Sequence, residues 1–328
     1  MKGPKNKVLF VDNAHPQLID DLTDLGFECI HIPEITREKL MDTIGEYFGI
    51  IIRSRILLDK EMLEKAKNLQ FIGRVGAGME NIDEVYATER NIQCFNSPEG
   101  NRDSVGEHCI GMLLALLNHF LVADREVRNG KWNREGNRGV EIKDKIVAII
   151  GFGNMGSAFA ERLIGFKPRI LAYDKYKFNY SKGMVMEVEM DEIYKNADIV
   201  SLHVPLTPET QYLVDHEFLN RFEKNIYLIN TSRGKVVKTA DLVTNIKSGK
   251  VLGAALDVLE YESHSFENLI TSKLSEDFKW LLKSDKVILT PHIAGWTIES
   301  RVKLSLVLSE KIRKAFNDPF LHWDHSMI

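Results

Sequence analysis

Residues 145–163 read "KIVAIIGFGNMGSAFAERL", and the reading of this stretch decides the fold. An apolar run suited to a strand enters G-x-G-x-x-G at Gly151, Gly153 and Gly156, and a helical pattern follows at Asn154 and Met155. The first glycine permits a tight turn and the second lets a pyrophosphate approach the backbone. The third lets the helix pack close to the strand, so that its N-terminal amides face the anion. The next run, "RILAYD", ends at Asp174, eighteen residues after Gly156, where an acid accepts hydrogen bonds from both ribose hydroxyls of a dinucleotide. An acid there repels the 2′-phosphate of NADP and favours NAD, although Lys175 and Lys177 follow and soften the preference. The bland alternative is a glycine turn in an ordinary α/β unit with Asp174 merely solvated. It is the weaker reading, because strand, loop, helix and acid all stand in their places.

Similar runs continue on both sides: "KVLFVD" (7–12), "GIIIRS" (49–54) and "LQFIGRVG" (69–76) before the loop, "DIVSLHV" (198–204), "NIYLINTS" (225–232), "VLGAALDV" (251–258) and "KVILTP" (286–291) after it. They are near-continuous rather than alternating, as expected of parallel strands buried on both faces. Helical patterns lie between most of them. "KTADLVTNIKSG" closes on Gly249 as a C-cap, and "ESRVKLSLVLSEKIRKAF" puts Leu304, Val307, Leu308 and Ile312 on one face. Alternating strand and helix predict an α/β fold of doubly wound parallel sheets. A single β/α barrel fits the length, but the glycine loop belongs to an open sheet. With 328 residues, two domains are expected.

The formal net charge is -4, so no global positive field draws the chain to nucleic acid or an anionic membrane, and any anion site is local. Cys29, Cys94 and Cys109 are scattered and show no metal-ligand spacing, so no metal is expected and a reducing cytoplasm fits best. The N-terminal apolar run is broken at Asp12, too early for a signal peptide. "CIGMLLALLNHFLVA" (109–123) contains Asn118 and His119 and falls short of the roughly 18 residues of a membrane span. It reads as one buried helix.

In an open α/β sheet, ligands bind at the C-terminal ends of the strands, so charged residues just after strands carry weight. Three qualify: Arg233 after "NIYLINTS", Glu262 after "VLGAALDV" and His292 after "KVILT". Hydride reduction of a 2-keto acid needs a guanidinium to hold the carboxylate and polarise the ketone, and a proton donor for the developing alkoxide. Arg233 and His292 suit those roles, and Glu262 would orient the imidazole. Each alone reads equally as a surface turn or a cap; the three together point to catalysis.

At this point the chain resembles the D-2-hydroxyacid dehydrogenase family, especially its 3-phosphoglycerate dehydrogenase branch. The motifs are "GRVGAGMENID" (73–83), "GNRDSVGEH" (100–108), "GFGNMG", "HVPLTPET" (203–210), "NTSRGKVV" (230–237), "GAALDVLEYE" (253–262) and "TPHIAG" (290–295), in order over nearly the whole chain. The resemblance implies a central Rossmann NAD domain at 101–295 and a discontinuous flavodoxin-like substrate domain at 1–100 plus 296–328. It implies a homodimer, with the apolar helix from Ser104 along the domain junction and dimer interface and the final helix returning to the first domain. The catalytic Arg, Glu and His of the family match Arg233, Glu262 and His292. Cofactor contacts carry over to Ala77, Asn154, Met155, Asp174, Val204, Thr231, Ser232, Asp257, Ala294 and Gly295.

Three departures stand out: Glu80 where the family usually has Asp, "SHSFENL" where Pro usually follows the catalytic Glu, and Trp296 where a small residue is usual. Trp296 would sit close to His292 and narrow the pocket. Glu260 competes with Glu262, but the family spacing of five from Asp257 favours Glu262. For the substrate, Arg53, Ser54 and Arg74 offer groups for a phosphate, with the backbone amides of Val75 and Gly76 for a carboxylate; Arg55 is a further candidate. These favour 3-phosphoglycerate and a place in serine biosynthesis, with glyoxylate or hydroxypyruvate reduction as the alternative. The chain ends soon after the returning helix, so no serine-sensing C-terminal domain and no serine inhibition are expected. A dinucleotide-sensing corepressor is the rival from another class.

Overall fold

A computed structural model describes residues 6–262 and 275–317. The stretch 263–269, which carries the departure after Glu262, lies outside the described residues. The chain forms two compact units: one holds the described residues up to Asn101 and those from Trp296 onward, the other is Arg102–Gly295.

The first unit has a five-stranded sheet of β1 (Lys7–Phe10), β2 (Glu28–His31), β3 (Gly49–Ile52), β4 (Phe71–Arg74) and β5 (Gln93–Phe95), in the order β2-β1-β3-β4-β5. Every pairing is parallel, with Leu9 beside Ile50 and Ile50 beside Ile72. That is the flavodoxin-like order. Its central strand β3 is buried at all four positions, as a continuous apolar run requires when helices cover both faces. One face is closed by the helix Ile298–Asn317, whose Leu304, Leu308 and Ile312 pack with Val8, Phe10, Ile51 and Phe71. The approach is close: a Cβ on Gly100 would lie 2.5 Å from the Leu304 nitrogen, so only glycine fits there. Val307 sits at the edge of the buried face, which Ser305 and Ser309 complete.

The second unit has a seven-stranded sheet of β6 (Ile146–Ile150), β7 (Arg169–Tyr173), β8 (Val185–Glu187), β9 (Ile199–Leu202), β10 (Ile226–Asn230), β11 (Val251–Leu256) and β12 (Val287–Leu289). The order is β12-β11-β10-β9-β6-β7-β8, again parallel throughout. The chain winds outward from β6 in both directions, so the topological switch point, where such sheets bind ligands, falls at the end of β6. The helix Thr239–Ser248 ends in Gly249 at φ 83, the left-handed C-cap foreseen from the sequence.

The apolar stretch 109–123 is not one helix. It breaks at His119, with φ 53, into Arg102–Leu117 and Phe120–Arg128, bent by 58°. Asn118 turns its amide back to the Leu114 carbonyl at 3.1 Å, ending the first helix with a polar side chain instead of an apolar one. The first helix buries Val105, Cys109, Met112, Leu113, Leu116 and Leu117; the second has no buried residue. No single helix among the described residues is long and apolar enough to cross a membrane.

Candidate active site

The glycine loop follows β6. Gly151 has φ 93, and a Cβ on it would lie 2.5 Å from the His203 carbonyl; a Cβ on Gly156 would lie 2.1 Å from the Gly151 carbonyl. Those two glycines are demanded by the turn and by the helix behind it. Gly153 differs: its φ is -84 and a Cβ there would meet nothing within 4 Å. No neighbouring atom of the described chain requires glycine there, and the space beside it is open. Gly153 also caps the helix Asn154–Leu163 without a side-chain bond, leaving that end of the helix open to an anion. A pyrophosphate fits this cradle. Asp174, directly after β7, accepts from Phe152 N at 2.8 Å and from the amides of Tyr176 and Lys177 at 3.0 and 3.1 Å, tying the glycine loop to the next strand's loop. Val204 follows β9 and packs beside Gly151.

At the far side of the same sheet, Asp257 follows β11 and its side chain has no exposure. Its oxygens accept from Thr290 Oγ1 at 2.6 Å and from the amides of Ile293 and Ala294 at 2.9 and 2.8 Å, with His108 Nε2 at 3.5 Å. Burial pushes this carboxyl up, but the hydrogen bonds from His108, Thr290 and the two amides outweigh it and hold it below the usual range. The residue read from the sequence as a cofactor contact thus turns inward and builds the turn 290–294. His108 and Thr290, its partners, were not singled out as site residues, although both lie inside quoted motifs. Ser104 Oγ donates to the Ala294 carbonyl at 2.6 Å and fastens the same turn to the helix Arg102–Leu117.

That turn presents His292 with φ 54, a left-handed conformation that costs a non-glycine residue about 1 kcal/mol or more and persists because its surroundings impose it. The His292 amide donates to the Asp257 carbonyl at 2.8 Å. Its ring Nδ1 lies 2.7 Å from Glu262 Oε2. A carboxylate can only accept, so Nδ1 carries the proton of that contact. Glu262 Oε1 accepts from Leu259 N, so both its oxygens are placed. The competing Glu260 is used elsewhere, accepting from Tyr212 OH at 2.9 Å and Thr239 N at 3.0 Å.

Arg233 follows β10. Asn230 Nδ2 donates to its carbonyl at 3.0 Å, and the next residue, Gly234, lies against the Leu259 carbonyl, where a Cβ would come to 2.0 Å. The Arg233 turn is thereby packed on the segment that leads to Glu262. Thr231 and Ser232 are buried in that turn; Thr231 Oγ1 sits 3.3 Å from Cys109 Sγ, and Ser232 donates to Asn230 Oδ1 at 2.8 Å.

In the first unit, Arg53 and Ser54 follow β3. The Arg53 amide donates to Asp12 Oδ2 at 2.6 Å and its guanidinium lies 4.4 Å from the Trp296 ring centroid. Arg55 is committed to Asp12 and to the Ile35 and Val11 carbonyls. The amides of Val75 and Gly76 are not presented to a ligand: Val75 N donates to Ile52 O at 2.9 Å, and Gly76 N to Arg74 O at 2.9 Å and Ser97 Oγ at 3.1 Å. The β4 ladder and the buried Ser97 take the donors that the sequence assigned to a carboxylate. The Arg74 guanidinium lies across Gly76, where a Cβ would come to 1.3 Å. The Ala77 carbonyl accepts from Asn96 at 2.8 Å. Among the described residues no group of three or more His, Cys, Asp and Glu could hold a metal ion.

A pyrophosphate cradle at the switch point, with a carboxylate-held histidine on the same sheet edge, defines a class, the nicotinamide-dependent oxidoreductases. Residues 110–294 match the family D-isomer specific 2-hydroxyacid dehydrogenase, NAD binding domain. The chain is 35% identical over 308 residues to a D-3-phosphoglycerate dehydrogenase of Archaeoglobus fulgidus, covering 93% of this chain and 56% of that one. It is 34% identical to a hydroxypyruvate reductase of Thermotoga maritima, covering 93% of this chain and 95% of that one. A D-lactate dehydrogenase of Aquifex aeolicus, solved with NAD and lactic acid, matches with TM-score 0.79 at 27% identity over 95% of each chain. The chain belongs to the D-isomer specific 2-hydroxyacid dehydrogenase family, and its cofactor is NAD.

Proposed function

We propose that this chain interconverts a D-2-hydroxy acid and its 2-keto acid, with 3-phosphoglycerate and 3-phosphohydroxypyruvate as the pair. The observation that carries the chemistry is the 2.7 Å contact between His292 Nδ1 and Glu262. Bound NAD supplies or accepts the hydride. Arg233 holds the substrate carboxylate through two parallel hydrogen bonds and polarises the adjacent carbonyl. His292 Nε2 gives a proton to the oxygen in reduction and takes it back in oxidation, while Glu262 stabilises the charged imidazole and fixes its tautomer.

The phosphate half of the reading rests on Arg53 and Arg74, whose guanidinium groups suit a dianion, and on the likeness to the A. fulgidus protein. Two observations favour an unphosphorylated acid such as hydroxypyruvate or glyoxylate instead: Trp296 lies against the Arg53 guanidinium, and the T. maritima reductase is matched over 95% of its length. Steady-state oxidation of NADH with 3-phosphohydroxypyruvate, hydroxypyruvate, glyoxylate and pyruvate in parallel decides between them. A kcat/KM for the phosphorylated acid no higher than for the other three would end the first reading. A homodimer belongs to the proposal, since Phe120, Leu121 and Val127 are all more than half exposed on one helix. Light scattering at the monomer mass would remove it.

A further inference from the structure

Resting on the NAD assignment of the glycine loop, we infer that Glu209 is a cofactor-specificity residue, which holds Lys175 away from the 2′-phosphate of NADP. β7 and β9 are the two neighbours of β6, so the loops that follow them flank the glycine loop on either side. Lys175 and Tyr176 lie in the first of these loops and Glu209 in the second. One Glu209 oxygen pairs with Lys175 Nζ and the other accepts from Tyr176 OH at 2.6 Å, so this carboxylate joins the two loops. Its own loop is held by hydroxyl contacts: Thr207 N donates to Thr210 Oγ1 at 2.8 Å, and Thr210 Oγ1 donates to the Pro205 carbonyl at 2.5 Å. Glu209 is therefore held between the two loops through both of its oxygens.

Asp174 Oδ1 takes the amides of Tyr176 and Lys177, which leaves Lys175 at the crown of the turn, next to the acid that meets the ribose. Lys177 Nζ is committed to the Phe152 carbonyl at 3.1 Å, so Lys175 is the cation at issue. A lysine at the 2′ position is a point charge suited to a phosphate. With Glu209 present, Asp174, Lys175, Lys177 and Glu209 sum to zero formal charge; without it they sum to +1. The Lys175–Glu209 pair is about half exposed, 55% and 45%, and contributes little to folding. Its effect lies in selection: it occupies the cation that NADP needs and adds a second repelling carboxylate beside Asp174.

The test is equilibrium binding, without turnover. NADH, NADPH, 5′-AMP and 2′,5′-ADP are titrated by calorimetry into the full chain, Glu209→Gln, and Glu209→Gln with Lys175→Ala. In Glu209→Gln the affinity for NADPH relative to NADH, and for 2′,5′-ADP relative to 5′-AMP, is expected to rise about tenfold. High salt should shrink that gain, because the groups are exposed. Adding Lys175→Ala should remove most of it. Unchanged ratios in Glu209→Gln, with an unaltered melting curve, would overturn the inference, and so would a gain that survives the loss of Lys175. Wild-type protein that binds no NADH would overturn the NAD assignment as well, which separates the two failures.

Discussion

Asp174 directly follows β7 and Asp257 directly follows β11, both at the C-terminal edge of one sheet, and both carboxylates collect backbone amides. Asp174 keeps part of its surface in solvent; Asp257 keeps none. An acid with an open face keeps acceptor capacity for a ribose hydroxyl. An acid sealed behind Thr290, His108 and two amides has nothing left to offer a ligand and works by holding a turn. Residue type and position along the strand are the same in the two cases. Exposure separates an acid that is able to bind from one that only builds.

The sealed arm exists to present His292, so the largest loss should come there. His292→Ala is expected to lower turnover about a hundredfold or more while NADH still binds; near-normal turnover would take the residue out of the chemistry. Asp257→Ala should come next, because it strands the Ile293 and Ala294 amides. Buried donors left unpaired cost about 2–3 kcal/mol, and for a unit of this size that lowers Tm by roughly 5–10 °C. Turnover should fall with it, and an unmoved Tm would show that the turn does not depend on the carboxylate.

Asp174→Ala should divide the other way. NADH affinity is expected to weaken about tenfold with little change in Tm, since water can replace the acid at an open site. If Asp174→Ala lowered Tm as much as Asp257→Ala, the contrast between the two acids would collapse.

The smallest effect at neutral pH concerns His203, at the end of β9. Burial pushes its imidazole down to about 3 from the ordinary 6.5. Between those values the unfolded chain takes up a proton that the folded chain refuses, so the stability tied to this residue is complete above pH 6.5 and is lost as pH falls toward 3. His203→Phe, placed beside Phe159, should flatten that decline. Tm curves of wild type and variant that run parallel from pH 7 to pH 4 would count against it.

Much of this was legible from short-range pattern. The fold class followed from continuous apolar runs, since a strand covered on both faces must be apolar at every position. β2, β5 and β8 escaped that reading for the same reason. Each lies at or next to a sheet edge, none has a fully buried position, and "ECIH", "QCF" and "VME" carry no continuous run. Arg233, Glu262 and His292 stood out because they follow strands. The inward turn of Asp257, the commitment of the Val75 and Gly76 amides and the reach of Glu209 to Lys175 were not legible, because each depends on partners that are distant in sequence or on a ladder that exists only once the sheet has formed. The bend at His119 had a local signal in Asn118 and His119, but an apolar average over the stretch outweighed it.

The helix Ile298–Asn317 fills one face of the first sheet with Leu304, Leu308 and Ile312. On a ribosome, the strands it covers emerge some two hundred residues before it does. Until then Val8, Phe10, Ile51 and Phe71 have only Leu18, Leu22 and Phe27 to cover them on that side, whereas the second unit is contiguous and can close as soon as it is made. The part of the chain synthesised first is thus completed last, and a nascent chain stalled before residue 298 should be the form that holdase chaperones capture.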